Sequence, residues 1–406
     1  MVMFFRLGAA FSLLFTCNSF AQVVSAPVAG SAQFPPYYTC TSNWYVNTTT
    51  GNDSNSGTSP TTAFKTISVG VAAALTPGAC VNVAPGTYNE SPTMSKGGNS
   101  QASTGYVALV STERWGAAIV GPSSTGFSVL GINASFLVVD GFDISGGNGG
   151  NCIDAGLGGT GGQHNLIFIN NHIHNCAGSG ISTVATDWVT IDNNIVEDTS
   201  ATNKTQTSGI SLFNNTLASN YTVPAPYSSY AYHNVIRGNI VHNVVETYSC
   251  PSTPCHTDGN GIIIDSSSNY SASTLIERNL TYDNGGPGIK LFESNNVVVQ
   301  YNTSYDDYTD PLQENFNSSG GVQQYEIGNL GSSNNTFIYN TAVANGTSSN
   351  SSALLDSGAF SSSFPDTNVV WEQNVAFATS GRAIIVNPPT TITAADGNAT
   401  PSASPL

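Results

Sequence analysis

Charge is what this chain has least of. Only 8% of its 406 residues are charged, and nine Lys and Arg face 25 Asp and Glu, a formal net charge of −16. A phosphate-binding surface needs a basic patch, so no nucleic-acid partner is expected. An acidic protein can still hold an anionic polymer if a divalent cation bridges the two. Long apolar runs are missing beyond the N-terminus, which excludes a membrane-spanning helix there. No Cys-x-x-Cys pair or His-rich spacing suggests zinc, and the six histidines are scattered.

What the chain does contain is Gly, Ser, Thr and Asn, with apolar residues at 39% in short Val/Ile/Leu clusters. That pattern suits a long, thin core with polar turns. Residues 1–21 read as a secretory leader, with Arg6 as the basic region, LGAAFSLLF as the apolar core and Ser19-Phe20-Ala21 as the cleavage site. A lipoprotein signal at Cys17 is the weaker alternative, because a smaller residue is expected before the cysteine. A secreted location, extracellular or periplasmic, follows. Removing Cys17 leaves Cys40, Cys80, Cys152, Cys176, Cys250 and Cys255. An even set in a secreted chain implies disulfides, and spacing favours 40–80, 152–176 and 250–255.

The organising signal is a repeat. An asparagine follows a short alternating strand seven times, at Asn171, Asn194, Asn239, Asn279, Asn302, Asn340 and Asn374. The steps are 23, 45, 40, 23, 38 and 34 residues, a basic period of about 23 with insertions. A second short strand follows each asparagine, and a Gly-Ile strand follows in several turns, at Gly180, Gly209, Gly261 and Gly288. Gly321-Val322 is a weaker copy. Three short strands per turn and a stacked asparagine describe an all-β, single-stranded, right-handed parallel β-helix. Hairpin turn chemistry is absent, which argues against a sandwich or propeller. The expected organisation is a leader (1–21), an N-terminal cap with the first turns (22–100), the β-helix (101–386) and a C-terminal cap with a loose tail (387–406). A monomer is expected.

The cap segment runs from a strand (WYVN) through a polar loop to a small apolar helix, Ile67–Leu75, which would cover the open end of the solenoid. The run Tyr45-Val46, Gly51-Asn52-Asp53, Gly57-Thr58, Phe64-Lys65-Thr66-Ile67 and Pro85-Gly86-Thr87-Tyr88 resembles the opening of secreted β-helix proteins of the pectate-lyase superfamily. The nearest group is polysaccharide lyase family nine and its relatives. The resemblance is specific for architecture and weak for substrate, because lyases, hydrolases, epimerases and non-catalytic proteins share the fold.

Insertions at 198–208, 246–258 and 307–321 fall before Gly-Ile strands, so a groove should run along the outer face of those strands. With Ile289 and Leu291 pointing in, Lys290 and Phe292 point out. Asp265 should lie one turn below, with Gln323 and Tyr325 one turn above. Asp283 and Asp306 each stand four residues after a ladder asparagine, and Asp307 and Asp310 follow. Oxygen-only ligands of this kind suit calcium. The arrangement of Asp283, Asp306, Asp307 and Asp310 resembles the calcium cluster of the family-nine lyases, and Gly288-Ile289-Lys290 resembles their lysine strand. There the metal neutralises a uronate carboxylate and the lysine removes the C5 proton. One departure is order, because Lys290 lies between the two parts of the cluster instead of after it.

The resemblance therefore implies an enzyme cleaving an acidic polysaccharide such as pectate by calcium-assisted β-elimination. Lys290 would be the base, with Asp258, Asp265 and Glu293 as further catalytic candidates. Phe292, Gln323, Tyr325 and Tyr305 would bind sugar. A lysine acts as a base only when its neutral form is accessible, through burial under substrate or a nearby cation. Two alternatives stand beside this one. A glycoside hydrolase on the same fold would use two of Asp258, Asp265, Asp283, Glu293 and Asp306, and a non-catalytic carbohydrate-binding solenoid would use none. The bland readings are a solubilising Lys290, plain turn chemistry for Asp283, Asp306 and Asp258, an incidental His256, and His174 and His242 as surface ladder residues.

Overall fold

The computed structural model describes residues 37–400 except 124–127, 148, 157–160, 202–206, 220, 248–255, 314–323, 346–350, 359–365, 380, 388–389 and 395. The expected leader, the Cys250–Cys255 pair and Gln323 lie outside the described residues.

Alternating apolar residues in short runs cannot bury themselves within one turn, so successive turns stack. Each turn gives one strand to each of three sheets, as Thr274–Glu277, Leu280–Tyr282 and Ile289–Phe292 do, followed by Val297–Gln300, Thr303–Tyr305 and Tyr325–Leu330. All pairings are parallel and the sheets hold 12, 10 and 10 strands among the described residues. The fold is a parallel β-helix. Its inward side chains form one apolar cluster that runs from Val46 to Ala376.

Each bend has its own chemistry. At the first, every ladder asparagine serves two turns. The Asn279 Nδ2 donates to Ile236 O and to Asn302 Oδ1, both at 3.0 Å. Its Oδ1 accepts from the backbone N and the Nδ2 of Asn239. The same pattern runs from Asn171 to Asn374, so these buried amides leave nothing unpaired. The residue before each rung takes a left-handed conformation, for example Arg278 (φ 55°) and Tyr301 (φ 56°). A serine ladder at the third bend was not anticipated. Ser267 N donates to Ser294 Oγ and Ser294 N to Ser332 Oγ.

At the N-terminal end, Ile67–Ala73 forms the helix, two residues shorter than expected. Thr66 caps it and Glu90 accepts from the first backbone N–H groups. Cys40–Cys80 and Cys152–Cys176 are joined as disulfides, each with a Cα–Cα distance near 5.5 Å. The segment after 386 keeps the period longer than its sequence suggests. Thr390–Ala394 adds a twelfth strand to the first sheet, and Asn398 is one more rung, accepting from Asn374. No described helix is long and apolar enough to cross a membrane.

Candidate active site

The outer face of the third sheet gathers the expected catalytic residues. In register, Phe213, Asp265, Phe292 and Leu330 form one outward row; Ser211, Ile263, Lys290 and Gly328 form the next. Ile289 and Leu291 are in the core, as the alternation requires. Phe213 is 40% exposed and Phe292 is half-buried, and Asp265 stands on the strand between theirs, with neighbouring strands about 4.8 Å apart.

Lys290 faces outward from the core but is not a surface residue. Its side chain is only 6% exposed. The ammonium donates to Thr257 O at 3.2 Å, lies 3.8 Å from Asp258 and stands 5.4 Å from the Phe292 ring centre. The turn Thr257-Asp258-Gly259 lies over the lysine strand, which is why an outward lysine is buried.

Burial pushes the Asp265 carboxyl up to about 6, and the negative charge of Asp258 adds to the shift. Burial also raises Asp258, with the Lys290 charge opposing it. Glu246 packs beside the same turn, accepting from the backbone N of Asp258, and rises to about 7 through burial and the Asp258 charge. Glu293 is raised by burial as well. Glu246 carried no motif in the sequence and was missed.

The register above Lys290 differs from the expected one. Gly328 pairs with Lys290 and Leu330 with Phe292, so Tyr325 does not occupy the position expected for it. The Gly321-Val322 pair imitated the strand start, whereas Glu326 stands where other turns have glycine. Tyr325 still reaches the site from the side. A Cβ on Gly328 would lie 2.3 Å from the Tyr325 ring, so the ring rests on that glycine. Tyr325 is buried with its hydroxyl unpartnered among the described residues, and Asp258 is one of the charges acting on it.

The four aspartates expected to hold calcium do not converge. Asp283 is an exposed turn residue at φ 55°, and Asp306 is a half-buried one at φ 56° that accepts from Asn345. Asp307 turns inward as a rung of a second-bend ladder. Its Oδ1 accepts from the backbone N and Nδ2 of Asn284, and its Oδ2 accepts from Ser304. It is raised to about 6 by burial beside Glu326, which is raised further by burial and the Asp307 charge. Gly288 has no side chain because a Cβ there would lie 2.2 Å from Asp307. Asp310 is buried and bonded to the Nδ1 of His256 at 2.5 Å, so His256 is not incidental. Alternation of inward and outward residues through the bend separates carboxylates that are adjacent in sequence.

Tyr305 lies elsewhere, on the outer face of the second sheet. It stacks on Tyr282 at 5.2 Å, and Tyr282 stacks on His242 at 4.5 Å. The lower part of that face carries a cluster that spacing did not reveal. Asp143, His172 and His174 place three ligand-type atoms within 4.8 Å of one another, the one such group among the described residues. His174 and His242 share a row, as expected, with Glu197 between them.

No family model matches the chain, and no curated protein matches it. Solved structures do. A GH136 lacto-N-biosidase from Eubacterium ramulus is 13% identical, with a TM-score of 0.50 over 88% of this chain and 67% of that one. XylC in complex with xylose is 11% identical, with a TM-score of 0.56 over 84% and 69%. The pectate lyase Pel9A is 12% identical, with a TM-score of 0.49 over 90% and 82%. The likeness is one of fold.

Proposed function

We propose that this chain is a secreted carbohydrate-active enzyme that hydrolyses glycosidic bonds in a neutral glycan bound along the outer face of the third sheet. One observation carries the reading: Asp265, raised to about 6, stands between Phe213 and Phe292 within the field of a second carboxyl, Asp258. A carboxyl that keeps its proton near neutrality can protonate a leaving oxygen, while a second one acts as base or nucleophile. Asp258 is the candidate for that second role, with Lys290 at 3.8 Å opposing the upward shift that burial imposes on it. The two rings offer apolar faces on which sugars stack. Asp258, Asp265, Glu293 and Glu246 outnumber Lys290 here, and a neutral sugar avoids the repulsion a uronate would meet. Both the lacto-N-biosidase and XylC have this fold and bear names of enzymes or complexes of neutral sugars, which is compatible with the proposal.

Calcium-assisted β-elimination is the second reading, favoured by a buried lysine on the same face. It requires Lys290 to release its Asp258 contact and lose its proton, and it requires a cation to neutralise the uronate. Asp283, Asp306, Asp307 and Asp310 would have to rearrange to provide that ion's ligands.

A panel of neutral and uronate polysaccharides, each with calcium and with EDTA, tests both. A hydrolase releases reducing ends from a neutral glycan, indifferent to EDTA, without an unsaturated product absorbing in the near ultraviolet. An EDTA-sensitive unsaturated product from a uronate polymer would replace the hydrolase with the lyase. No product from any member would leave a binding solenoid.

A further inference from the structure

We propose that Asp143, His172 and His174, on the outer face of the second sheet, bind one divalent transition-metal ion of the zinc type. His172 and His174 are two apart on the strand His172–Cys176, so both rings project from the same face. Asp143 pairs with His172 from the turn below. The Asp143 Oδ2 lies 2.9 Å from His172 Nδ1 and 3.2 Å from His174 Nε2. A tetrahedral zinc with ligands at about 2.1 Å sets them about 3.4 Å apart. The carboxylate oxygen therefore needs to draw back from each ring nitrogen by only a few tenths of an ångström to admit the ion, and the two nitrogens lie within 4.8 Å of each other.

The remaining ring nitrogens are already held. His172 Nε2 meets Glu197 Oε1 at 2.8 Å, and His174 Nδ1 meets the Asn175 amide at 2.7 Å. A half-turn of that amide presents its oxygen, which accepts the Nδ1–H and leaves Nε2 free to bind metal. Such outer partners fix the ring orientation that a metal site requires. Glu197 is itself anchored by His242 Nε2 at 2.9 Å. All three ligand side chains are between 21% and 23% exposed, so an ion can enter and a fourth position remains for water. Two imidazoles among three ligands select a zinc-type ion over calcium, which prefers oxygen alone.

Trp115 supplies a reporter, because its ring lies 5.4 Å from that of His172. The test uses the full chain, purified without a histidine tag and stripped with chelator. Calorimetry should show one zinc ion bound per chain and no comparable calcium binding. Asp143→Ala and His174→Ala should each weaken zinc binding by at least about tenfold while melting as the wild type does. Copper(II) should quench tryptophan emission in the wild type, and Trp115→Phe should remove that quenching while zinc still binds. His164→Gln, a histidine outside the cluster, should change none of this. If an alanine variant does not fold, Asp143→Asn replaces it under the same criterion. Failure to bind zinc stoichiometrically, equal binding of calcium, or undiminished zinc binding in folded Asp143 and His174 variants would each overturn the site.

Discussion

The first bend of the solenoid and the outer face of its third sheet both draw polar groups out of water, but they treat them in opposite ways. At the first bend each asparagine amide satisfies its neighbours above, below and in the backbone, and no rung carries a charge. On the outer face of the third sheet, Asp258, Asp265 and Glu246 are drawn from water, and burial shifts all three carboxyls upward. Satisfied burial builds scaffold, and unsatisfied burial stores the chemical potential that a site uses.

That contrast predicts which residues matter for what. Asp265→Asn should lower turnover by about a thousandfold, roughly 4 kcal/mol of barrier, with little change in melting temperature. A loss of folding instead would assign Asp265 to scaffold. Asn279→Ala should do the reverse. It leaves the Asn239 amide, Ile236 O and Asn302 Oδ1 short of partners and should cost about 3 kcal/mol in urea unfolding. Residual folded enzyme should keep its activity per folded molecule.

Glu246 tests the same contrast through pH. Its carboxyl rises from an ordinary 4.5 to about 7 in the folded state, through burial first and the Asp258 charge second. A raised acid contributes stability in full below the unfolded value, and that contribution is lost as pH rises through the folded one. Glu246→Gln should therefore be more stable than the wild type by about 2 kcal/mol at pH above 8, and the advantage should vanish near pH 4. Unfolding curves at the two ends of that range decide it. The smallest effect is expected from Phe213→Ala. Its ring is 40% exposed, so removing it should raise KM about fivefold, close to 1 kcal/mol, with turnover unchanged.

Much of the architecture was legible because it is periodic. The ladder asparagines, the inward Ile289 and Leu291, the outward Lys290 and Asp265 and the two described disulfides follow from spacing and alternation. The turn above Lys290 was misread because Gly321-Val322 resembles a strand start, and Glu326 fills the place of the usual glycine. The aspartate cluster was misread for another reason. Proximity in sequence across a tight bend does not mean a shared direction, and the bend turns Asp306 outward and Asp307 inward. The histidine cluster was invisible because Asp143 comes from the turn below the two histidines, 29 residues before His172.

The sequence by itself determined that this chain stacks turns, because no turn can cover its own apolar face. It also determined which side of each strand meets solvent, since alternation has a period of two. Only the tertiary structure decided which carboxylates share a field. That depends on how the turn at Asp258 folds over Lys290, and on how stacking sets Asp143 beneath His172. Those are contacts between turns, and a repeat of variable length does not encode them locally.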